Sequence, residues 1–184
     1  MFSDSKMSSD LKIIVGPMFS GKTTYLIKQW EINKLKNIPT LVINYSEDNR
    51  YSKTNLSSHD KVEIPCLKLS MMCDIYNHIK DNTKYILINE AQFFPDLYDV
   101  VKNLMHGKEL SIIVSGLDSD FKMEKFGQIL DLIPIANYIE KLTSVCYNCK
   151  NHASFTKRKI PNATQKLIGT NDIYEATCRR CHKL

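Results

Sequence analysis

The chain has 184 residues, 43% of them apolar and 24% charged, an ordinary balance for a soluble globular protein with a sizeable core. No apolar run approaches the roughly 18 residues of a membrane span, and the stretch 1–10 reads as a disordered lead-in rather than a secretion signal, so a cytoplasmic protein that engages no membrane is expected. The formal net charge of +5 is unevenly placed, since nine Lys/Arg lie from Lys141 onward against Asp172 and Glu175 alone, an excess that suits phosphate contact or the neutralisation of metal-bound thiolates.

An apolar strand is expected over 11–15 and a helix over 23–36, and between them stands GPMFSGKT. The pattern G-x-x-x-x-G-K-[ST] in that context is a phosphate-binding loop. Gly16, Pro17, Met18, Phe19, Ser20 and Gly21 would wrap the phosphates with backbone groups, Lys22 would reach the outer phosphates, and the Thr23 hydroxyl would face Mg²⁺. A strand follows at 40–45. The stretch 49–59 is so poor in apolar residues that it reads as a mobile surface loop able to act as a lid. A short strand is expected at 61–64, a helix at 70–80 capped by Ser70, a strand at 85–89, and a helix from 95 to about 105 with Pro95 in its first turn. A strand at 110–115, a short helix near 126–133 and a last strand near 138–142 complete the series.

Runs such as YILIN and LSIIVSG are apolar on both faces, which fits a parallel sheet covered by helices. The expected fold is therefore α/β: a sheet of the phosphate-loop NTPase type with helices on both faces, followed by a small C-terminal zinc-ribbon or lasso unit. The boundaries read as a lead-in at 1–10, an ATP-binding domain at 11–143 and a zinc-binding lasso domain at 144–184. Within the first domain, Glu90 closes a strand beside the phosphate loop, where a carboxylate can take a proton from an acceptor hydroxyl. Phe93, Phe121 and Phe126 could enclose a flat base.

Four of the six cysteines form two C-x-x-C pairs, Cys146/Cys149 and Cys178/Cys181. Each pair can place two thiolates on one tetrahedral Zn²⁺, and four thiolates leave no open position for water, so the role is structural. A disulfide pairing is the competing reading, disfavoured in a reducing cytosol. Cys66 and Cys73 read as core or surface thiols, and His152 and His182 as unneeded ligands. A long loop closed by one ion is a lasso, able to lie over a substrate.

Taken together, GPMFSGKT, NEAQFFPD, GLDSDFKMEKFG, KLTSVCYNC, ASFTKR and CRRC stand in the order and spacing of one family: the chain resembles the type II thymidine kinases, cytosolic and poxvirus-like, over about 11–182. The resemblance implies transfer of the γ-phosphate of ATP to the 5′-hydroxyl of thymidine, giving dTMP, with deoxyuridine as a second substrate and dTTP as feedback inhibitor. It assigns the general base to Glu90. Asp48, Asn49, Arg50, Asn89 and Gln92 would join the phosphate loop on the ATP side. Met18, Phe93, Leu117, Phe121 and Phe126 match the apolar wall around the base, and Thr156 and Tyr174 its contacts in the lasso. Gln165, Lys166, Leu167, Ile168 and Gly169 match the lasso backbone that holds thymine. Structural Zn²⁺, Mg²⁺ with ATP and a homotetramer are implied as well, with no nucleic-acid partner.

One position departs from the family pattern. Asn89 stands where the family usually has an aspartate that helps to hold hydrated Mg²⁺; the amide keeps an oxygen donor but lacks the charge. Activity with a raised Mg²⁺ requirement is expected. A zinc-ribbon nucleic-acid-binding NTPase and a catalytically impaired nucleotide-binding regulator are the alternative readings.

Overall fold

In the computed structural model, which describes residues 9–48, 54–58, 61–107, 109–161 and 164–183, the elements run in the order β1 (Asp10–Val15), α1 (Lys22–Leu35), β2 (Thr40–Tyr45), β3 (Asn55–Ser57), β4 (Glu63–Pro65), β5 (Leu67–Leu69), β6 (Tyr85–Ile88), α2 (Leu97–Gly107), β7 (Ser111–Gly116) and β8 (Tyr138–Lys141). Short strands β9 (Ser144–Val145), β10 (His152–Ala153), β11 (Phe155–Arg158) and β12 (Tyr174–Thr177) follow. Strands β5, β2, β6, β7, β1 and β8, in that order, form one sheet in which every pairing is parallel.

The two-sided apolar pattern of the strands explains this sheet, because alternate residues face opposite layers. Ile13, Ile43, Ile86, Ile88, Ile112 and Val114 pack on one side against Leu97, Val101 and Leu104 of α2 and against two 3₁₀ turns, Met72–Asn77 and Ile129–Ile135. Ile14, Val42, Leu87 and Ile113 pack on the other side against Leu26 and Ile27 of α1 and against Leu56 and Ile64. Among the described residues no helix is long and apolar enough to cross a membrane.

Two expectations are corrected. The segment 70–80 is a 3₁₀ turn rather than a capped α-helix, and Ser70 makes no cap. Its free N–H groups are met from elsewhere, since the Asp96 carboxylate accepts from Met72 and Cys73, each at 2.8 Å. A cap delivered from 24 positions away needs no regular helix, and the turn stays tight. Likewise, part of the expected lid at 49–59 is ordered: β3 and β4 pair antiparallel, and Leu56 is buried against the α1 layer. Leu56 and its cross-strand partner Ile64, both apolar at the buried register position, seat the hairpin on the core. Positions 49–53 and 59–60 lie outside the described residues.

The small strands pair as β9 with β10 and β11 with β12. They dock on the phosphate loop through two hydrogen bonds: the Met18 N–H donates to Thr156 Oγ1 at 2.9 Å, and the Ser144 hydroxyl donates to the Phe19 carbonyl at 3.0 Å.

Candidate active site

The site sits outside the C-terminal ends of the parallel strands, the usual place for ligands in such sheets. The phosphate loop leaves β1 at Gly16, whose φ of 148° and close packing admit no side chain: a Cβ would stand 2.5 Å from the Leu142 carbonyl oxygen. It enters α1 through Gly21 in the left-handed conformation. Lys22 is buried, and its ammonium donates to the carbonyls of Gly16 (3.0 Å) and Pro17 (2.6 Å). The cation thus waits inside the loop that it would serve.

Glu90 follows β6 with φ 54° and ψ 39°, a left-handed backbone that a residue other than glycine adopts only when its surroundings enforce it. Its carboxylate accepts from Gln92 Nε2 at 2.5 Å, while Gln92 Oε1 accepts from the Leu117 N–H at 2.9 Å. One cavity is lined by Met18 to Thr24 of the phosphate loop and α1, by Asp48 and Glu90, by Phe93, Leu117 and Phe126, and by Leu167, Ile168, Gly169 and Tyr174 of the lasso. Phe93 and Phe126 meet edge to face, 5.4 Å between centroids. The cavity therefore joins the polar groups of the phosphate loop, with Asp48 and Glu90, to apolar side chains from the sheet domain and the lasso.

Other expected residues stand behind this lining. Gly16 and Pro17 shape the loop from beneath. Asn89 is buried beside Thr23, whose hydroxyl donates to its Oδ1 at 3.5 Å. Gln92 is buried behind Glu90, and Thr156 is buried beneath Met18. Phe121 lies outside the cavity, under the Arg158 guanidinium at 3.9 Å. Gln165 donates to Asp120 at 2.9 Å and Lys166 pairs with Glu47 at 2.9 Å, so both tie the lasso to loops that follow β7 and β2. Asn49 and Arg50 lie outside the described residues.

The structure adds residues to which the sequence assigned no role, Thr24 and Ser57 outside any motif and Arg158 at the end of ASFTKR. Thr24 and Ser57 line the cavity, Ser57 brought in by the β3–β4 hairpin. Arg158 organises the lasso: its guanidinium donates to the carbonyls of Thr164 (2.6 Å) and Gln165 (3.1 Å) and to the Tyr174 hydroxyl (2.8 Å), which in turn donates to the Leu167 carbonyl at 2.6 Å.

At the base of the lasso the sulfurs of Cys146, Cys149, Cys178 and Cys181 all lie within 4.8 Å of one another. The sulfurs of Cys149 and Cys178 are 3.5 Å apart, far longer than a disulfide of about 2.05 Å and near the edge of about 3.8 Å of a tetrahedron with 2.3 Å metal–sulfur bonds. All six cysteines are free thiols. The Cys149 N–H and its neighbours pull the Cys146 thiol down to about 6, and the Cys181 N–H lowers that of Cys178. Cys181, sharing hydrogen bonds with Cys178 and then Cys149, is pushed up to about 12. Four sulfurs at this spacing, with the thiols of Cys146 and Cys178 lowered by backbone N–H groups, are a donor set that fits a closed structural metal site.

A G-x-x-x-x-G-K-[ST] loop at the head of a parallel sheet, sharing one cavity with a strand-end carboxylate and apolar side chains, defines the class of the phosphate-loop enzymes. The family model for thymidine kinase matches residues 9–182. Thymidine kinases of Monkeypox virus, Vaccinia virus (strain Western Reserve) and Variola virus are each 38% identical to the chain over 172 residues, covering 94% of it and 96% of the relative. The chain belongs to the thymidine kinase family of enzymes.

Proposed function

We propose that the protein transfers the γ-phosphoryl group of ATP to the 5′-hydroxyl of thymidine, giving dTMP and ADP, with Glu90 as the general base. The observation that carries this reading is that the phosphate loop, Glu90 and the apolar lasso residues line a single cavity. Glu90 accepts the hydroxyl proton as the oxygen attacks γ-phosphorus, and the bond to the bridging oxygen of ADP breaks. Lys22 leaves the Gly16 and Pro17 carbonyls for the outer phosphates, and the amides at the head of α1 face the phosphate chain. Met18, Phe93, Leu117 and Phe126 pack on the base while the lasso backbone over 165–169 reads its edge. Thr23, Asn89 and Asp48 offer hard oxygen donors on the phosphate side, the donor type that suits Mg²⁺, which when bound neutralises phosphate charge. Zn²⁺ is the ion this reading assigns to the four thiolates, and it supplies the clasp of the lasso.

A pocket that separates thymine from uracil only by a methyl contact discriminates by about 1–3 kcal/mol, so deoxyuridine is a second substrate in this reading. dTTP, which carries both the base and the phosphates that the cavity accommodates, is its inhibitor. In this reading the protein is a homotetramer in the cytoplasm, as the family resemblance implies. The test is a panel of deoxynucleosides incubated with ATP and Mg²⁺ and read by product mass. Thymidine and deoxyuridine are expected to gain one phosphate; DNA-stimulated ATP hydrolysis without a nucleoside product contradicts the reading.

A further inference from the structure

Strands β2 and β6 pair in parallel with Ile43 beside Ile88, and the Asn89 N–H continues the ladder to the Ile43 carbonyl at 2.9 Å. The register therefore sets Asn44 next to Asn89, both at the phosphate end of the sheet. Both side chains are buried, at 2% and 3% exposure. A carboxamide has two unlike ends of nearly the same shape, so what fixes the direction of a buried one is its partners.

Here the partners leave one arrangement. The backbone N–H of Tyr45 can only donate, and it meets Asn44 Oδ1 at 3.0 Å. Asp48, a carboxylate acceptor, meets Asn44 Nδ2 at 3.2 Å. These two contacts agree and lock Asn44. Its Oδ1, which can only accept, then meets Asn89 at 3.0 Å and requires the Nδ2 end of that residue. Asn89 Oδ1 is consequently the end left facing the Thr23 hydroxyl, at 3.5 Å. The chain of contacts runs from Asp48 through Asn44 and Asn89 to Thr23, and it aims an oxygen donor toward the phosphate side of the cavity.

We propose that Asn44 is a positioning residue for the nucleotide-bound divalent cation, setting the Asn89 carboxamide with its oxygen toward the metal. This rests on the reading above in which Asn89 serves the metal side of the site. The physical reason for such a residue is specific to an amide. A carboxylate at 89 would present oxygen whichever way it turned and would need no orienting partner, whereas a reversed carboxamide would point two N–H donors at a dication.

That difference supplies the test. The dissociation constant of Mn²⁺ from the complex with ADP is measured by electron paramagnetic resonance in four proteins: wild type, Asn44→Ala, Asn89→Asp, and the double variant. Asn44→Ala in the wild-type background is expected to weaken Mn²⁺ about three- to tenfold, the equivalent of one lost orienting hydrogen bond. In the Asn89→Asp background the same substitution is expected to cause no loss beyond about twofold. Equal losses in both backgrounds mean that Asn44 only supports the fold and overturn the assignment; so does the absence of loss in the wild-type background. If Asn89→Asp by itself leaves Mn²⁺ binding unchanged, the failure lies with the metal-side reading of Asn89. Should Asn44→Ala not fold, the side-chain amide protons of Asn89 in the wild-type protein decide, since slow solvent exchange is expected and fast exchange overturns the proposal.

Discussion

The carboxamide of Gln92 holds the carboxylate of Glu90 at 2.5 Å, and it does so in one orientation because the Leu117 N–H claims its oxygen at 2.9 Å. The role of general base proposed for Glu90 needs a fixed direction, and a hydrogen bond to a charged group contributes about 1.5–3 kcal/mol. Replacing Gln92 by Leu is accordingly expected to lower kcat about ten- to a hundredfold. ATP affinity should stay near that of the wild type, because Gln92 is absent from the cavity wall. Steady-state kinetics with separate nucleotide-binding titration checks this; an unchanged kcat would show that Glu90 needs no such support.

The thiolate cluster predicts a split between the two substrates. Removing the metal with a chelator, or replacing Cys178 by Ser, frees the lasso ends and with them Leu167, Ile168 and Gly169 in the cavity wall. Thymidine binding is expected to weaken at least about tenfold, while ATP binding, held by the phosphate loop, changes little. Parallel loss of both would mean that the cluster supports the whole fold rather than the lasso.

Lys166 of the lasso reaches Glu47 at 2.9 Å and the Tyr45 hydroxyl at 2.6 Å. The hydrogen bond from Lys166 lowers Glu47 below its ordinary value of 4.5, and although burial works against the Lys166 cation, its bonds to Glu47 and Tyr45 raise it above 10.5. A lowered carboxylate contributes above its unfolded pKa and loses that contribution as pH falls through the folded value; a raised lysine contributes below its unfolded pKa and loses it as pH rises through the folded value. The tie is therefore intact across the neutral range. Glu47→Gln is expected to speed proteolytic cleavage of the lasso at pH 7, with wild type and variant converging only below pH 4.5. The effect should be small, since both groups are largely in solvent.

Asn89→Asp is expected to act in two opposite ways. Added charge next to the nucleotide cation lowers the Mg²⁺ concentration needed for half-maximal turnover. The same carboxylate faces Asn44 Oδ1 across 3.0 Å, acceptor against acceptor, which costs about 1–3 kcal/mol and lowers Tm by about 2–4 °C per kcal/mol. A Mg²⁺ titration and a melting curve on one preparation read both. Unchanged Mg²⁺ dependence would remove Asn89 from the metal side.

The parallel sheet was legible because YILIN, LSIIVSG and their like hold three or more successive apolar residues, which face both sides of a sheet and point to two-sided burial. The phosphate loop, Glu90 and the cysteine pairs were legible because their chemistry fixes residue type and spacing together. What escaped was tertiary in origin. Asp96 caps a turn far from it in sequence, so Ser70 misled. Leu56 and its cross-strand partner Ile64 seat the hairpin that brings Ser57 into the cavity. Asn44 stands one residue before the end of β2 with no motif around it, and its meaning arises only from strand register. Arg158 looks like one more basic residue until the lasso folds over it.

The central claim is that Glu90 draws a proton from a nucleoside held by the lasso while the phosphate loop presents ATP. It is met most directly by following label from γ-phosphate-labelled ATP into thymidine with wild type and Glu90→Gln side by side, thymidine binding being measured for both. Labelled dTMP is expected from the wild type, with formation about two to four orders of magnitude slower in the variant and binding retained. No labelled dTMP from the wild type, or an undiminished rate from the variant, contradicts the account.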